Sequence, residues 1–446
     1  MTQRLCELGV VGCFLVAQIA NAAEVSRALP SPLTLEYALS LADESHPTLL
    51  LSAAEVASAQ AERLRVDANY DWDIYIEARA RYVEPAKSST DLSHDDNRIG
   101  VVVSKDIYDF GKHSAQLRVA DYEVDARRFH YLDARTRRRQ EIMQRFFDVL
   151  LADLFSSRNN EELATAYVSF DRLRQHKEVG QASELLVLEA EARVQRARLV
   201  RNQSQAQQRE TRARLAEALN RPTELPETLD IPKLAVLSRP IPEVEALQSQ
   251  AVTNNYLLQA MRTRVAAAEQ RIAVARAQDN AVVKGSAEAF NYSRDLGAND
   301  EVRVGVTLTV PIYSGRRDDA VLAHAQAQLQ RARAELHLVE SEVRQSVLSL
   351  WLELDNLRQQ REAMVALRRF RELNLDRSRA LYELEVKADL GDAMVLMTDA
   401  EYLSAQTDYK MVHAWLKLDS LTGQVTLPTN DVLNKPVESM KQNDKN

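Results

Sequence analysis

Residues 99–108 read IGVVVSKDIY and residues 304–313 read VGVTLTVPIY, and the likeness between these two stretches decides the fold. When residues 99–120 are placed over residues 304–325 without gaps, 7 of 22 positions are identical. Each stretch is followed by a long segment that contains neither Gly nor Pro. A recurring stretch with the same flanks indicates an internal repeat, so the sequence predicts a duplicated structural unit.

Both repeated stretches alternate between apolar and polar residues, which is the period of a β-strand. The alternation is clearest in the second stretch, where one face carries Val302, Val304, Val306, Leu308, Val310 and Ile312 and the other carries Arg303, Gly305, Thr307 and Thr309. An alternating segment also precedes each repeated stretch. The pattern therefore predicts four strands, over residues 70–82, 97–108, 281–293 and 302–313.

The remaining segments carry apolar residues at helical spacing and contain few helix breakers. We predict helices over residues 33–69, 112–179, 183–219, 243–279 and 316–390, and a last helix that ends near Gly423. The order helix–strand–strand–helix–helix thus occurs twice. The predicted divisions are a first repeat over about 33–222, a Pro-rich linker over 222–242, a second repeat over about 243–423 and a polar tail over 424–446.

The N-terminus has the pattern of a secretory signal peptide. Arg4 is followed by an apolar run, and Ala20-Asn21-Ala22 supplies the small residues of a cleavage site. We predict a signal peptide over residues 1–22 and a mature chain over 23–446 that contains no thiol, because Cys6 and Cys13 both fall in the removed piece. The alternative is lipidation of Cys13, which follows a lipoprotein-like box.

Composition argues against several classes of function. The formal charge of −8 gives no electrostatic footprint for nucleic acid, and the basic run at 135–139 is predicted to be a solvated helix face. No catalytic, nucleotide-binding or metal-binding motif is present, and the eight histidines are scattered. We therefore expect no enzyme activity, no cofactor and no metal site.

The strands have the length and the sidedness of strands in outer-membrane β-barrels. Aromatic residues lie near their ends, as at a membrane–water interface. Four strands cannot close a barrel, and an open strand edge in lipid is forbidden, so several chains must pool their strands; three chains would supply twelve. A soluble sheet with one buried face is the alternative. Helices of about 65 residues would extend roughly 97 Å into the periplasm.

The sequence resembles the TolC-type outer-membrane efflux protein family over nearly the whole mature chain. The resemblance rests on residues 33–39 (LTLEYAL), on Ser45-His46-Pro47 and on the two strand-to-helix junctions, 107–111 and 310–315. The resemblance implies a mainly α fold with a small membrane β part. It implies a homotrimer in which a twelve-stranded β-barrel is continued by a long α-helical barrel. The junction residues that match are Tyr108, Gly111, Pro311, Tyr313 and Gly315.

The same resemblance implies roles for the two helix tips. In this family the tips dock a periplasmic adaptor, and the matching positions here are Val179, Gly180, Leu188, Tyr382 and Val386. Inward carboxylates narrow the exit at the second tip, where the candidates are Asp392, Asp389 and Asp399. Leu186 stands where the family often has Asp, and Val386 where Gly is common.

The function implied is a passive exit duct of a tripartite efflux or type I secretion system. Its expected partners are outer-membrane lipid, a periplasmic adaptor protein and an inner-membrane pump, without nucleic acid. Two other classes stay open on the sequence: an exported coiled-coil structural protein, and a periplasmic adaptor subunit. The sequence leaves the exported substrate open.

Overall fold

The computed structural model describes residues 29–44, 46–86, 89–294, 300–384 and 390–424. The predicted signal peptide and nearly all of the predicted tail lie outside these ranges, as do Val386 and Asp389. The fold is mainly helical with one small sheet, which confirms the predicted class.

The helices and strands follow the predicted order, with the long helices preceded by pairs of strands. They are α1 (Leu35–Ser40), α2 (Pro47–Ala68), β1 (Asp73–Arg79), β2 (Arg98–Tyr108), α3 (Lys112–Glu178), α4 (Glu184–Ala218), α5 (Val244–Asn254), α6 (Tyr256–Arg276), β3 (Val282–Tyr292), β4 (Val302–Thr309), α7 (Arg317–Glu383) and α8 (Leu390–Leu421).

Several predicted boundaries were wrong, each for a local reason. The predicted helix over 33–69 is broken before Pro47, which lacks an N–H and begins α2 with His46 as its N-cap. The predicted helix over 243–279 is broken at Asn255, whose side chain accepts a hydrogen bond from the backbone N–H of Leu258 at 3.1 Å. The helix predicted to reach residue 390 ends at Glu383. Strand β4 stops at Thr309, two residues before Pro311.

The two longest helices, α3 and α7, each contain 67 residues and therefore extend about 100 Å. Helix α3 packs against α2, α4, α6 and α8, and α7 packs against α5, α6 and α8. Helix α8 ends where α6 begins, since the side chain of Asn255, the N-cap of α6, donates to the carbonyl of Leu421, the last residue of α8, at 3.3 Å. Helix α3 is thus central, with α2 and α4 on one side of the packed layer and α7 on the other.

The four strands form one antiparallel sheet in the order β1-β2-β3-β4, which leaves β1 and β4 as its edges. The register brings Ile76 opposite Val101, Val101 opposite Ala289, and Ala287 opposite Val304. One face of the sheet is therefore apolar across all four strands, apart from Lys105 on β2 and Asn291 on β3 near its two ends. We call it the apolar face; it consists of Ile74, Ile76, Ala78, Ile99, Val101, Val103, Val283, Ala287, Ala289, Val302, Val304, Val306 and Leu308.

The opposite face of the sheet carries a charged ladder. Arg98 forms an ion pair with Glu77 on β1, and its guanidinium lies 4.6 Å from the centre of the Phe290 ring on β3. Arg303 on β4 lies 4.0 Å from Glu288. Phe290 can lie flat against β2 because its neighbour is Gly100, where an added Cβ would come within 2.4 Å of the ring.

The apolar core lies at mid-height, where α1 and the Pro-rich linker cover α3. Ile142 and Phe146 are fully buried there beneath α1 and linker side chains. The prediction that the basic run at 135–139 is a solvated helix face was wrong for three of its four arginines. Arg135 and Arg139 both bind Asp43, and Arg138 is 2% exposed and donates to the Ala42 carbonyl, whereas the Arg137 side chain is exposed as predicted. Burial acts to raise the pKa of Asp43, but the two guanidinium groups outweigh it and lower that pKa.

A second buried cluster joins α5, α7 and α8 around Trp415, which is fully buried. The linker is anchored to this cluster by Arg239, which donates to both carboxylate oxygens of Asp419 at 2.8 and 3.0 Å. No helix in the described part of the chain combines the length and the apolar character that a membrane span requires.

Candidate functional site

The first strand-to-helix junction is a capped turn. Gly111 adopts a positive φ of 93°, and the Asp109 carboxylate accepts hydrogen bonds from the backbone N–H groups of Gly111 and His113. These bonds satisfy free donors at the start of α3. Asn280 donates to the Phe110 carbonyl at 2.9 Å, which ties the turn to the segment before β3. Tyr108 ends β2 and is 54% exposed.

The second junction is more open. Gly315 has a φ of 73° and nothing within 4 Å of an added Cβ, while Tyr313 is 87% exposed. Pro311 ends the ladder of β4 because it cannot donate a backbone hydrogen bond. The structure therefore places Tyr108 at the end of β2 and Tyr313 four residues beyond the end of β4, and both rings lie exposed.

The first helix tip is a tight turn that exposes apolar side chains. Gly180 has a φ of 77°, and Ser183 caps α4 by accepting from the Leu186 N–H at 3.4 Å. The predicted contact residues Val179 and Leu188 are 69% and 52% exposed. Leu185 and Leu186 are exposed beside them. The first tip therefore presents four apolar side chains to solvent within one turn and the start of α4.

The second tip is described only in part. Tyr382 and Leu384 are 59% and 72% exposed at the end of α7. The chain resumes at α8, whose second residue, Gly391, lies against Thr165 of α3 so closely that an added Cβ would come within 2.7 Å of it. The start of α8 is therefore held against α3, the central helix.

The described candidate carboxylates are paired with arginines from the first repeat. Asp392 lies 3.3 Å from Arg193 of α4, and the same guanidinium lies 3.3 Å from Glu162 of α3. Burial acts to lower the pKa of Arg193, but the two carboxylates outweigh it and raise that pKa. Asp392 thus belongs to a cluster of two carboxylates and one guanidinium, which keeps one net negative charge.

Asp399 differs from Asp392 because its charge is balanced. Its carboxylate accepts from Arg158 Nε at 3.0 Å, and Arg158 also donates to Asn159. Arg158, Arg193 and Glu162 could not be predicted from the sequence, because none belongs to a motif and both arginines lie roughly 200 residues or more before the aspartates that they bind. Among the described residues, no group of three His, Cys, Asp or Glu side chains could hold a metal ion.

The sequence matches the family model of the outer membrane efflux protein over residues 38–221 and 247–424. One relative is the outer membrane efflux protein BepC of Brucella suis, 36% identical over 64 residues, a match that spans 14% of each chain. Another is protein CyaE of Bordetella pertussis, 25% identical over 345 residues, which covers 75% of this chain and 72% of CyaE.

Solved structures share the fold at low sequence identity. The outer membrane protein VceC of Vibrio cholerae superposes with a TM-score of 0.71 at 17% identity, covering 87% of this chain and 96% of VceC. The MtrE outer membrane channel of Neisseria gonorrhoeae superposes with a TM-score of 0.70 at 16% identity, covering 89% of this chain and 91% of MtrE. The family match supports an outer-membrane location. Because the two ranges that match the family model together cover well over half of the chain, the chain belongs to the outer membrane efflux protein family.

Proposed function

We propose that three copies of this chain form the outer-membrane exit duct of a tripartite efflux or type I secretion system, acting as a passive channel. The observation that carries the proposal is the four-stranded sheet, which has one apolar face and two open edges. Lipid can cover the apolar face, but it cannot satisfy the backbone groups of β1 and β4. Pairing β4 of one copy with β1 of the next satisfies them, and three copies then close twelve strands.

The helices support the same arrangement. Within one chain, α2 and α4 lie on one side of α3, and α7 lies on the far side of α6 and α8. Helix α7 carries exposed apolar side chains along its length, among them Leu338, Leu352 and Leu373. In the trimer this surface packs against α2 and α4 of the neighbouring copy. The helices then continue the barrel as a tunnel of about 100 Å through the periplasm.

The remaining assignments follow from this arrangement. Residues 1–22 are a signal peptide, and residues 23–446 form one protomer built from two repeats joined by the linker. The strand-to-helix junctions lie at the inner edge of the membrane. The exposed apolar residues at the two helix tips bind a periplasmic adaptor, which connects the duct to an inner-membrane pump. BepC, by its name an efflux protein, supports efflux as one of the two transport routes.

The folded unit is expected to be a trimer in detergent. The test is the mass of the solubilised protein by light scattering with the detergent contribution subtracted, and three times the chain mass is the expected result. A stable, membrane-inserted monomer would contradict the whole arrangement, because a lone four-stranded sheet would leave both edges unpaired in lipid.

The exit is expected to depend on Asp392. Three copies of its cluster give a focused negative potential, so Asp392→Asn should weaken block by a multivalent cation and reduce cation preference. Asp389→Asn should add to this effect, and Asp399→Asn should do less, since Arg158 balances its charge. Arg193→Gln provides a control of opposite sign, because it removes the positive charge beside Asp392 and should therefore strengthen the block by the multivalent cation. The measurement is single-channel conductance in planar bilayers with and without the cation.

The contradicting outcome concerns both carboxylates at once. If the Asp389→Asn/Asp392→Asn double variant keeps the parent's ion selectivity and block, the constriction does not depend on these side chains. The duct itself would remain, since neither substitution touches the sheet.

A further inference from the structure

A groove with a mixed polar and apolar lining lies where α8 ends and α6 begins, away from the helix tips and from the sheet; its apolar part comes from Leu257, Val343, Leu350 and Leu421. Its volume is about 690 Å³. It is lined by α3, α6, α7 and α8, and we call it the lumenal groove. Its defining residues are Asp133, Arg137, Glu342, Ser346, Lys417 and Ser420.

The faces of the helices show on which side of the wall the groove lies. On α3, Ile142 and Phe146 point into the core beneath α1 and the linker. At 100° per residue, Asp133, Arg137 and Gln140 lie on the opposite face of that helix. On α8, Trp415 and Leu418 face the core around α5, whereas Lys417 lies in the groove. The groove therefore opens on the side away from the outer covering of α1, α5 and linker.

In the proposed trimer, that side is the lumen of the duct. Three copies of the groove would then face the transported molecule at one level of the tunnel. This placement rests on the proposed function.

The groove is balanced in charge and rich in hydrogen-bonding groups. Arg137 binds Asp133 at 2.7 Å across one helical turn, and Asp133 is largely buried, which raises the pKa of its carboxyl group. Glu342 and Lys417 are both exposed, and within the described part of the chain neither forms an ion pair. Hydroxyl and amide groups line the same groove, from Ser346, Ser349, Ser420, Gln140 and Gln345.

This lining fits one class of ligand better than others. Hydroxyls and amides both donate and accept, as the peptide backbone does. A free carboxylate can bind an ammonium group, and a free ammonium can bind a carboxylate. Among the described residues that line the groove, none is aromatic, so it offers no stacking surface for a planar apolar compound. We propose that the lumenal groove is a transit site for zwitterionic cargo of peptide character.

The test uses the full-length trimer in planar bilayers, with the zwitterionic peptide Gly-Ser-Gly-Ser-Gly as the probe. The parent channel should show current blocks of measurable duration. The Glu342→Gln/Lys417→Gln double variant should shorten these blocks about tenfold, since two solvent-exposed charge pairs with the peptide ends are lost. On the parent channel, the same peptide with an acetylated N-terminus and an amidated C-terminus should give blocks that are shorter by about the same factor.

Two controls separate binding from structural damage. Lys233→Gln removes an exposed lysine from the linker and should leave block durations unchanged. The mass of the double variant in detergent and its open-channel current should match those of the parent. A large apolar cation should block parent and double variant equally.

The outcomes distinguish this proposal from the proposed function. If the parent conducts but the double variant holds the zwitterionic peptide as long as the parent does, the groove is not a binding site, and the duct stands. Equal block durations for the capped and uncapped peptides on the parent channel would overturn the proposal that the groove binds zwitterionic cargo. If the parent forms no trimeric channel at all, the proposed function fails first.

Discussion

Val306→Arg and Leu308→Arg are each expected to reduce insertion and trimer yield strongly, whereas Thr307→Arg should be tolerated. Val306 lies opposite Gly285 and Leu308 opposite Val283, so both side chains belong to the apolar face. Thr307 lies opposite Lys284 on the charged face. An Arg that faces lipid near the midplane costs about 2–4 kcal/mol, which corresponds to a loss of roughly 30-fold to 1,000-fold in the folded, inserted fraction.

The strand register shows that Thr307→Arg is not a neutral control for the apolar-face variants. An Arg at position 307 would stand directly across from Lys284, and a like-charge pair costs up to about 1 kcal/mol. Ser286→Arg is therefore a better matched control, because Ser286 lies on the same charged face opposite Gly305 and next to Glu288 in the strand period. The expected order of trimer yield is parent, Ser286→Arg, Thr307→Arg and then the two apolar-face variants.

The measurement is the yield of heat-resistant trimer after refolding into lipid vesicles, together with far-UV circular dichroism to show that the helices still form. Equal yield for all four variants would mean that the apolar face does not meet lipid. The sheet would then be the soluble alternative, with its apolar face covered by protein.

Much of the sheet could be predicted from the sequence because a strand's period is read directly from its letters. The alternation at 302–308 assigned faces that the observed register matches, with Val304 opposite Ala287 and Arg303 opposite Glu288. Helix lengths could also be predicted, since α3 and α7 run until a Gly or a tip is reached. Two of the boundaries that failed, at Pro47 and Asn255, are places where one residue's capping outweighs the apolar spacing around it.

The pairing of charges could not be predicted. The basic run at 135–139 has the composition of a solvated helix face, yet it lies under α1, where Arg135 and Arg139 bind Asp43. Asp392 and Asp399 looked alike by spacing, but Arg193 also binds Glu162 while Arg158 neutralises Asp399. These differences depend on which helices become neighbours, and a single sequence does not contain that information in its local patterns.

Trp415→Ala is expected to give the largest loss of stability of any single substitution in the helical part. Trp415 is fully buried between α5, α7 and α8, in contact with a cluster that includes Leu247 and Leu354. The Arg239 guanidinium lies 4.3 Å from the centre of its ring, so the indole also holds the linker in place. Removing a buried Trp side chain costs about 3–5 kcal/mol, because apolar contact is lost and a cavity remains.

The matched control is Trp351→Ala on α7. Trp351 is only partly buried, and its Nε1 donates to the Pro242 carbonyl at 3.0 Å, so its loss removes one hydrogen bond and part of an apolar contact. We expect a cost of about 1–2 kcal/mol there. Thermal unfolding in detergent, followed by far-UV circular dichroism at one fixed scan rate, compares the two variants with the parent. If Trp351→Ala lowers the midpoint as much as Trp415→Ala does, the fully buried ring does not contribute more stability than the partly buried one, and the prediction is wrong. Trp415→Phe keeps an aromatic ring beside Arg239, so its unfolding midpoint should lie closer to that of the parent than the midpoint of Trp415→Ala does. A midpoint as low as that of Trp415→Ala would contradict the stacking of Arg239 on this ring.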